Sequence, residues 1–310
     1  MTPEVVQFPA SSSRPEGGAQ FGDAFQRRLA NWNRRRLSPA FPHDEWSQEL
    51  AEEHQMKWLE SRFIEAERRL VAQAAAEAPT EAKAFVAWFE ALKGAGPGEN
   101  DPLFPWLAEE APMEAMRWFL LQEVAGEAGF DDLVAMTQVK MPTRAKLELA
   151  ANYWDEMGRG NAAGMHGPML EELAAALELE PTIEGTATPS LALGNTLVAF
   201  ATNRRYAYHA VGALGAVELT APWRAAHVAE GLKRLGVGKE RRYFALHATL
   251  DVKHSETWNA EVLTPLVEEN PDCARFIAEG ALMRLAAGAR CFAAYREHLW
   301  AASPKSAGAQ

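Results

Sequence analysis

The chain has 310 residues, of which 48% are hydrophobic and 24% are charged, values typical of a soluble globular protein. Its formal net charge is −11, which argues against nucleic acid as a partner because nucleic-acid-binding proteins are usually basic. No apolar run reaches the roughly 18 residues that a membrane-spanning helix requires, and the first residues lack the apolar core of a secretion signal. Two cysteines are too few for a disulfide framework or a zinc knuckle. We therefore expect a cytoplasmic protein that binds neither nucleic acid nor membranes.

Abundant alanine and the near absence of alternating Val, Ile and Thr runs predict an all-α chain. Residues 1–40 are rich in Ser, Pro, Gly and Arg, and we predict an extended or partly disordered segment there with at most one short helix. Residues 41–302 are predicted to form a single helical domain, because the connections between its elements are short. Residues 303–310 are predicted to be a disordered tail.

The first long helix is predicted from about Asp44 to Ala76. Its buried stripe is predicted to consist of Trp46, Leu50, Trp58, Phe63, Ile64 and Leu70. Further helices are predicted over about 80–92, 113–133, 142–158, 161–179, 190–202, 205–219, 222–235, 239–265 and 272–302. Proline and glycine set several of these boundaries, and Pro222 is expected to separate two helices.

Two histidines and an aspartate follow one another at helical spacing near the C-terminus. His247, Asp251 and His254 are separated by four and three residues, so a helix places all three on one face. Phe244 and Trp258 flank them and indicate that this face points partly inward. Two imidazoles and a carboxylate on such a face suit a metal such as iron. A solvated helix face with unrelated histidines is the alternative interpretation.

A glutamate interrupts an apolar stripe in Trp118-Phe-Leu-Leu-Gln-Glu123. A buried carboxylate is costly unless it is paired or bound to a cation. Glu127, one turn further along, occupies nearly the same face and is the rival candidate. A salt bridge to Arg117 or Lys140 would explain the carboxylate without a metal.

Glu156 and His166 are ten residues apart, a spacing that leaves their side chains about 80° apart on a continuous helix. Gly158 and Gly160 allow the chain to break between them, so that both side chains can turn inward. Glu218 ends a run of small apolar residues before Pro222. It is either a further ligand or an ordinary polar residue at a helix end.

The complete candidate set contains four carboxylates and three histidines on inward-facing helical segments. Two iron or manganese ions need about that many ligands, whereas a mononuclear site with two histidines and one carboxylate would use fewer. The Glu-x-x-His pattern of ferritin-like proteins is absent from the sequence.

The order of these motifs resembles that of the heme-oxygenase-like diiron oxidase/oxygenase superfamily, whose members are often described as iron-containing redox enzymes. The resemblance covers about residues 105–302 and implies a heme-oxygenase-like helical bundle, to which residues 41–104 add N-terminal helices. It implies two iron ions, with manganese in one site as an alternative. The metal ligands implied by the resemblance are Glu123, Glu156, His166, Glu218, His247, Asp251 and His254.

The resemblance further implies an enzyme that activates O2 and oxidises a small organic metabolite, by N-oxygenation or by oxidative C–C cleavage. An external electron donor and a homodimer stay open. The segment ending at Glu123 also resembles thiaminase II, which shares the helical scaffold. A metal-free enzyme or small-molecule binding protein of that type is therefore the alternative function, and a non-catalytic interaction protein is a third.

Overall fold

The computed structural model describes residues 20–126 and 129–301. Within these two ranges the regular elements are helices and no strand is present, which confirms the predicted all-α class. The rival ligand Glu127, the first 19 residues and the predicted tail lie outside the described residues. No helix in the described ranges is long and apolar enough to cross a membrane.

Thirteen α-helices follow one another within the described ranges. They are α1 (Asp23–Leu37), α2 (Trp46–Ala76), α3 (Ala82–Ala95), α4 (Leu103–Glu109), α5 (Met113–Gly126), α6 (Phe130–Thr137), α7 (Thr143–Glu156), α8 (His166–Ala176), α9 (Thr188–Thr202), α10 (Ala207–Arg234), α11 (Arg242–Thr257), α12 (Thr264–Glu269) and α13 (Cys273–Ala301).

The N-terminal helices differ from the prediction in two ways. The single short helix allowed within residues 1–40 is a 15-residue helix, α1, which packs against α9. The predicted buried stripe of α2 is only partly correct, since Phe63 and Ile64 are buried. The four remaining residues of that stripe are exposed: Trp46, Leu50, Trp58 and Leu70. Within the described ranges, residues 46–52 at the start of α2 are all exposed, so no described element covers its apolar face.

Three predicted helix boundaries were wrong. The helix predicted over 113–133 is divided into α5 and α6, because Gly129 adopts a left-handed conformation (φ 70°). The helices predicted on either side of Pro222 form one continuous helix, α10, in which burial along most of its length outweighs the hydrogen bond lost at the proline. The helix predicted over 239–265 begins after a short 3-10 turn at 239–241 and contains a π-helical turn, Trp258–Leu263, between α11 and α12.

The centre of the bundle is the pair α10 and α13, whose backbones touch. A Cβ added at Gly212 would lie 1.8 Å from the carbonyl oxygen of Ile277, and one added at Gly280 would lie 2.0 Å from that of His209. Two glycines, one on each helix, therefore allow this close approach. Apolar side chains fill the space on both sides of the pair in two buried clusters. The middle of α10 faces the end of α7 and one face of α11, where the candidate ligands lie.

Candidate metal centre

Two candidate ligands stand at the two ends of one loop. Glu156 is the last residue of α7, His166 is the first residue of α8, and both side chains are buried. The Nδ1 atom of His166 lies 2.6 Å from Oε2 of Glu156. Ten residues of sequence separation thus become direct contact between two side chains.

The loop between them depends on glycine. Gly158 and Gly160 have φ angles of 60° and 83°, in the left-handed region, which confirms the predicted break. A Cβ added at Gly158 would lie 2.4 Å from the carbonyl carbon of Gly164, so the two sides of the loop are in backbone contact at this point. An antiparallel bridge between Met157 and Met165 closes the loop just behind the two ligands.

On α11, His247 faces the loop ligands. Its Nδ1 donates a hydrogen bond to the carbonyl oxygen of Tyr243 at 2.7 Å, which leaves Nε2 as the ring atom able to bind a metal. The His247 and His166 ring centroids are 4.6 Å apart, with the rings nearly perpendicular. Burial, followed by the nearby charge of His166, lowers the pKa of His247 to about 4, so this imidazole is neutral at physiological pH.

Five candidate ligands form two groups that could each hold a metal ion. The first group is Glu156, His166 and His247, and the second is Glu156, Glu218 and His254. Within each group one ligand atom from every residue lies within 4.8 Å of the others. Glu156 belongs to both groups, which is the arrangement that a bridging carboxylate requires.

His254 lies between two carboxylates. Its Nε2 is 3.2 Å from Oδ2 of Asp155, and its Nδ1 is 3.4 Å from Oε2 of Glu218. Burial alone would lower the pKa of His254, but its hydrogen bond to Glu218, the charge of that group and the hydrogen bond to Asp155 raise it to about 9. The metal-free protein therefore holds an imidazolium here.

Asp155 contacts the candidate ligand His254, and the sequence analysis did not include it. Hydrogen bonding from Arg159 at 2.6 Å lowers the pKa of Asp155 despite partial burial, so the carboxylate stays charged. A carboxylate that accepts from the outer nitrogen of a ligating histidine fixes the ring orientation and raises its basicity. The only sequence signal is that Asp155 precedes Glu156 at the end of α7.

Glu218 is buried in the interior of α10, not at a helix end. Asn152, one turn before Glu156 on α7, donates from Nδ2 to Oε1 of Glu218 at 2.6 Å. The other carboxylate oxygen of Glu218 points to His254, as described above. The alternative interpretation of Glu218 as an ordinary polar residue at a helix end is therefore wrong.

Asp251 is buried next to the second group without belonging to it. Its Oδ1 lies 3.7 Å from Nδ1 of His254 and has no hydrogen-bond partner in the part of the chain that the structure describes. Burial, together with the negative charges of Glu218 and Glu156, raises the pKa of Asp251 well above its usual value. The closeness of the three carboxyl groups thus favours the protonated form of Asp251 when no metal is bound.

Glu123 lines a cavity next to the two ligand groups but belongs to neither group. Its Oε1 accepts a hydrogen bond from the hydroxyl of Tyr295 at 3.3 Å. Burial raises the pKa of Glu123, an effect that the charges of Arg224 and Arg284 oppose. Arg117, suggested as its salt-bridge partner, instead lies 3.7 Å from Glu178. The choice between Glu123 and Glu127 as first-helix ligand stays a prediction.

A cavity of about 200 Å³ adjoins the two groups. This volume is below the range typical of pockets for drug-sized ligands, so the space suits a small molecule. Six of the seven candidate ligands line the cavity, and His254 lies behind them. Its apolar wall consists mainly of Phe104, Phe119, Phe130, Leu170, Val217, Val228 and Phe244.

A family model described as "Iron-containing redox enzyme" matches residues 117–289, which is more than half of the 310 residues. The chain belongs to this family. The matched span contains all seven candidate ligands, and the membership confirms the predicted heme-oxygenase-like class of the iron-containing redox enzymes. Among curated proteins, the comparison finds no match.

The candidate donor set of this iron-containing redox enzyme fits iron. Carboxylates and neutral imidazoles are the ligands that iron and manganese share in proteins. The unpartnered Oδ1 of Asp251 and the crowding of Glu156, Glu218 and Asp251 are unfavourable in a buried, metal-free site. Positive charge at this point would remove both penalties, whereas a heme group would satisfy neither.

Proposed function

We propose that the protein is a non-heme diiron oxidase or oxygenase that acts on a small organic metabolite. The observation that carries this proposal is Glu156, because a carboxylate common to two three-residue groups suits two adjacent ions. Iron at both positions is the simplest assignment, and manganese at one of them is compatible with the same donors.

The ligands divide between two sites. Glu156, His166 and His247 would hold one ion, with Glu123 or Glu127 as an additional carboxylate. Glu156, Glu218 and His254 would hold the other, with Asp251 completing its coordination. When bound as ferrous ions, the metals would supply the electrons with which dioxygen is reduced.

The protein's own groups orient the ligands and shape the cavity. Tyr243 holds the His247 ring through its carbonyl oxygen, Asp155 holds the His254 ring, and Asn152 holds Glu218. Phe119 and Phe244 exclude water from the space next to the ligands. A small apolar substrate body is thereby placed against the metal site and away from bulk solvent.

Metal content tests this proposal directly. We expect anaerobically reconstituted protein to bind close to two ferrous ions per chain. Glu156→Ala should lose most of both, and His247→Ala and His254→Ala should each retain about one, since each histidine serves a single group. His298→Ala is the control, because His298 is exposed and stacks on Trp118. Equal metal content in all four variants would exclude this ligand assignment.

Oxygen uptake separates the proposal from its alternative. The ferrous protein should consume O2 faster in the presence of its substrate, and Glu218→Ala should abolish this acceleration. A catalytic activity that needs no metal and survives both Glu218→Ala and His254→Ala would instead support the thiaminase II-like alternative.

A further inference from the structure

Two arginines line the same cavity as the candidate ligands. Arg224 extends from α10 and Arg284 from α13, and among the lining residues that the structure describes they are the two basic side chains other than histidine. Helix α13 contributes no candidate metal ligand. Arg284 therefore enters the cavity from a helix without candidate ligands, whereas Arg224 shares α10 with Glu218.

Arg224 has its partners within the protein. Its Nη2 lies 3.5 Å from Oε1 of Glu99, and its Nε donates to the carbonyl oxygen of Thr220 at 3.2 Å. The Glu99 side chain is itself buried. The positive charge of Arg224 is thus balanced by a carboxylate that takes no part in metal binding.

Arg284 lacks such a partner. Among residues 20–126 and 129–301 no carboxylate lies within 4.0 Å of its guanidinium, and its buried Nε has no hydrogen-bond partner. Gly288, one turn along α13, leaves room for the guanidinium, since a Cβ added there would lie 2.7 Å from Nη1. Arg284 is half-buried and faces the cavity without a counter-ion, so this position favours an anion.

The two carboxylates whose negative charges act on Arg284 are Glu99 and Glu123, and each has another partner. Glu99 is paired with Arg224, and Glu123 accepts from Tyr295. Asp131, which also lines the cavity, forms no ion pair with either arginine in the described chain. One guanidinium with free donors matches a single monoanion, and its planar fork matches a carboxylate in particular.

We propose that Arg284 binds the carboxylate of the substrate and thereby selects small carboxylic acids with a short apolar body. This inference rests on the proposed function for its chemistry and names the substrate class of the same cavity. Phe119, Leu170 and Phe244 line the same cavity as Arg284 and the candidate ligands, and they would contact the apolar body. The substrate is held by its carboxylate on α13, so the carbon atoms near the metal site are the ones that react.

Calorimetric binding of hexanoate, hexanamide and hexylamine tests the proposal, because the three probes share a chain length and differ in charge. With anaerobic ferrous protein we expect hexanoate to bind at least about tenfold more tightly than the other two, since hydrogen bonds to charged groups are the strong ones. Arg284→Met should remove this preference and leave hexanamide binding unchanged. Arg290→Met is the control, because Arg290 lies on the same helix and pairs with Glu67 at the surface.

Three outcomes would overturn the proposal. One is equal binding of hexanoate and hexanamide to the wild-type protein, which requires no variant. Another is unchanged hexanoate affinity in folded Arg284→Met, or in Arg284→Gln if the methionine variant does not fold. The third is hexanoate binding that is lost when the metal is removed but persists in the Arg284 variant. That result would place the carboxylate on the metal. The metal content of the same samples distinguishes failure of the diiron proposal from failure of the Arg284 proposal. Hexanoate binding that depends on Arg284 in protein without bound iron would exclude the diiron function but support the role of Arg284.

Discussion

At the scale of single residues, two candidate histidine ligands each have one ring nitrogen in a hydrogen bond with another protein group. His254 uses Nε2 on Asp155, and His247 uses Nδ1 on the Tyr243 carbonyl. Each ring therefore presents one defined nitrogen to the centre, and no ring rotation is needed when a metal binds. The two candidate ligands are thus oriented by groups that belong to neither candidate ligand group.

Replacing Asp155 should weaken metal binding without removing a ligand. In Asp155→Asn the amide cannot stabilise the His254 ring as a charged carboxylate does, so we expect affinity at the second site to fall by about 10–100-fold. Titration with ferrous iron under anaerobic conditions measures this loss. Glu171→Gln, at an exposed position on α8, should bind like the wild type. An Asp155→Asn protein with wild-type affinity would show that the contact has no role in metal binding.

Metal binding should also depend on pH, because the metal-free site carries protons that the metal must displace. With a pKa of about 9, His254 is protonated near pH 7. The pKa of Asp251 is raised well above its usual value by burial and by the charges of Glu218 and Glu156, so its protonated form is favoured in the same direction. His247, with a pKa of about 4, has no proton to release. Affinity should therefore rise from pH 7 to 9, by up to roughly tenfold per pH unit for each released proton. Calorimetry in buffers of different ionisation enthalpy counts the protons, and a pH-independent affinity would contradict the expectation.

The spacing of His247, Asp251 and His254 was sufficient to predict that they share a face, because helical geometry is local. Asp155 could not be found in the same way, since its role depends on where the end of α7 meets α11. The pairing of Arg224 with Glu99 likewise joins α10 to a loop more than a hundred residues away in sequence. Local periodicity shows which candidate ligands share a helix face, whereas the groups that orient them depend on tertiary packing.

At the scale of elements, the loop from residue 157 to 165 is the least replaceable part of the site. It must place the last residue of one helix against the first residue of the next, and it does so through left-handed backbone and direct backbone contact. Because a candidate ligand stands at each end of this loop, we expect metal binding to stabilise the loop conformation.

Gly158→Ala should therefore damage both the loop and the metal site. The new Cβ would meet the Gly164 carbonyl carbon at 2.4 Å, in a conformation that L-residues rarely adopt. We expect a loss of about 1–3 kcal/mol in the free energy of unfolding and a lower metal content. Gly94→Ala is the matched control, because nothing lies within 4 Å of its Cβ position in α3. Its stability should be unchanged or slightly higher. Equal stability of the two variants would refute the argument.

Helix boundaries show why sequence prediction of elements was incomplete. Pro222 was expected to end a helix on the basis of local rules, but α10 continues through it because the helix is buried against α13 and α11. Gly129 acted in the opposite direction and divided a helix whose apolar pattern continued. In both cases a local backbone preference opposes the free energy gained by burial against other helices. The sequence of a single helical segment does not show which of the two is larger.

At the scale of the whole molecule, the candidate metal site joins four helices spread over about a hundred residues of sequence. Glu156 and His166 bring α7 and α8 to Glu218 of α10 and to the histidines of α11. The same bundle is otherwise held by close backbone packing of α10 on α13, which lies beside the site. At the junction of the helices, the negative charges of Glu218 and Glu156 raise the pKa of Asp251, and a bound cation would offset this repulsion.

Bound metal should consequently stabilise the entire fold. A ligand that binds only the folded state adds about 2.7 kcal/mol to the free energy of unfolding when its free concentration is 100 times the Kd. Manganous ion, which is stable in air, suits this measurement. We expect urea unfolding of the wild type to shift by about this amount at saturating metal, and Glu156→Gln to shift far less because both groups lose their common carboxylate. In the metal-free state Glu156→Gln should be at least as stable as the wild type, since one of three crowded carboxyl groups becomes neutral. A variant that is equally stabilised by metal would mean that Glu156 is not the common ligand of the two groups.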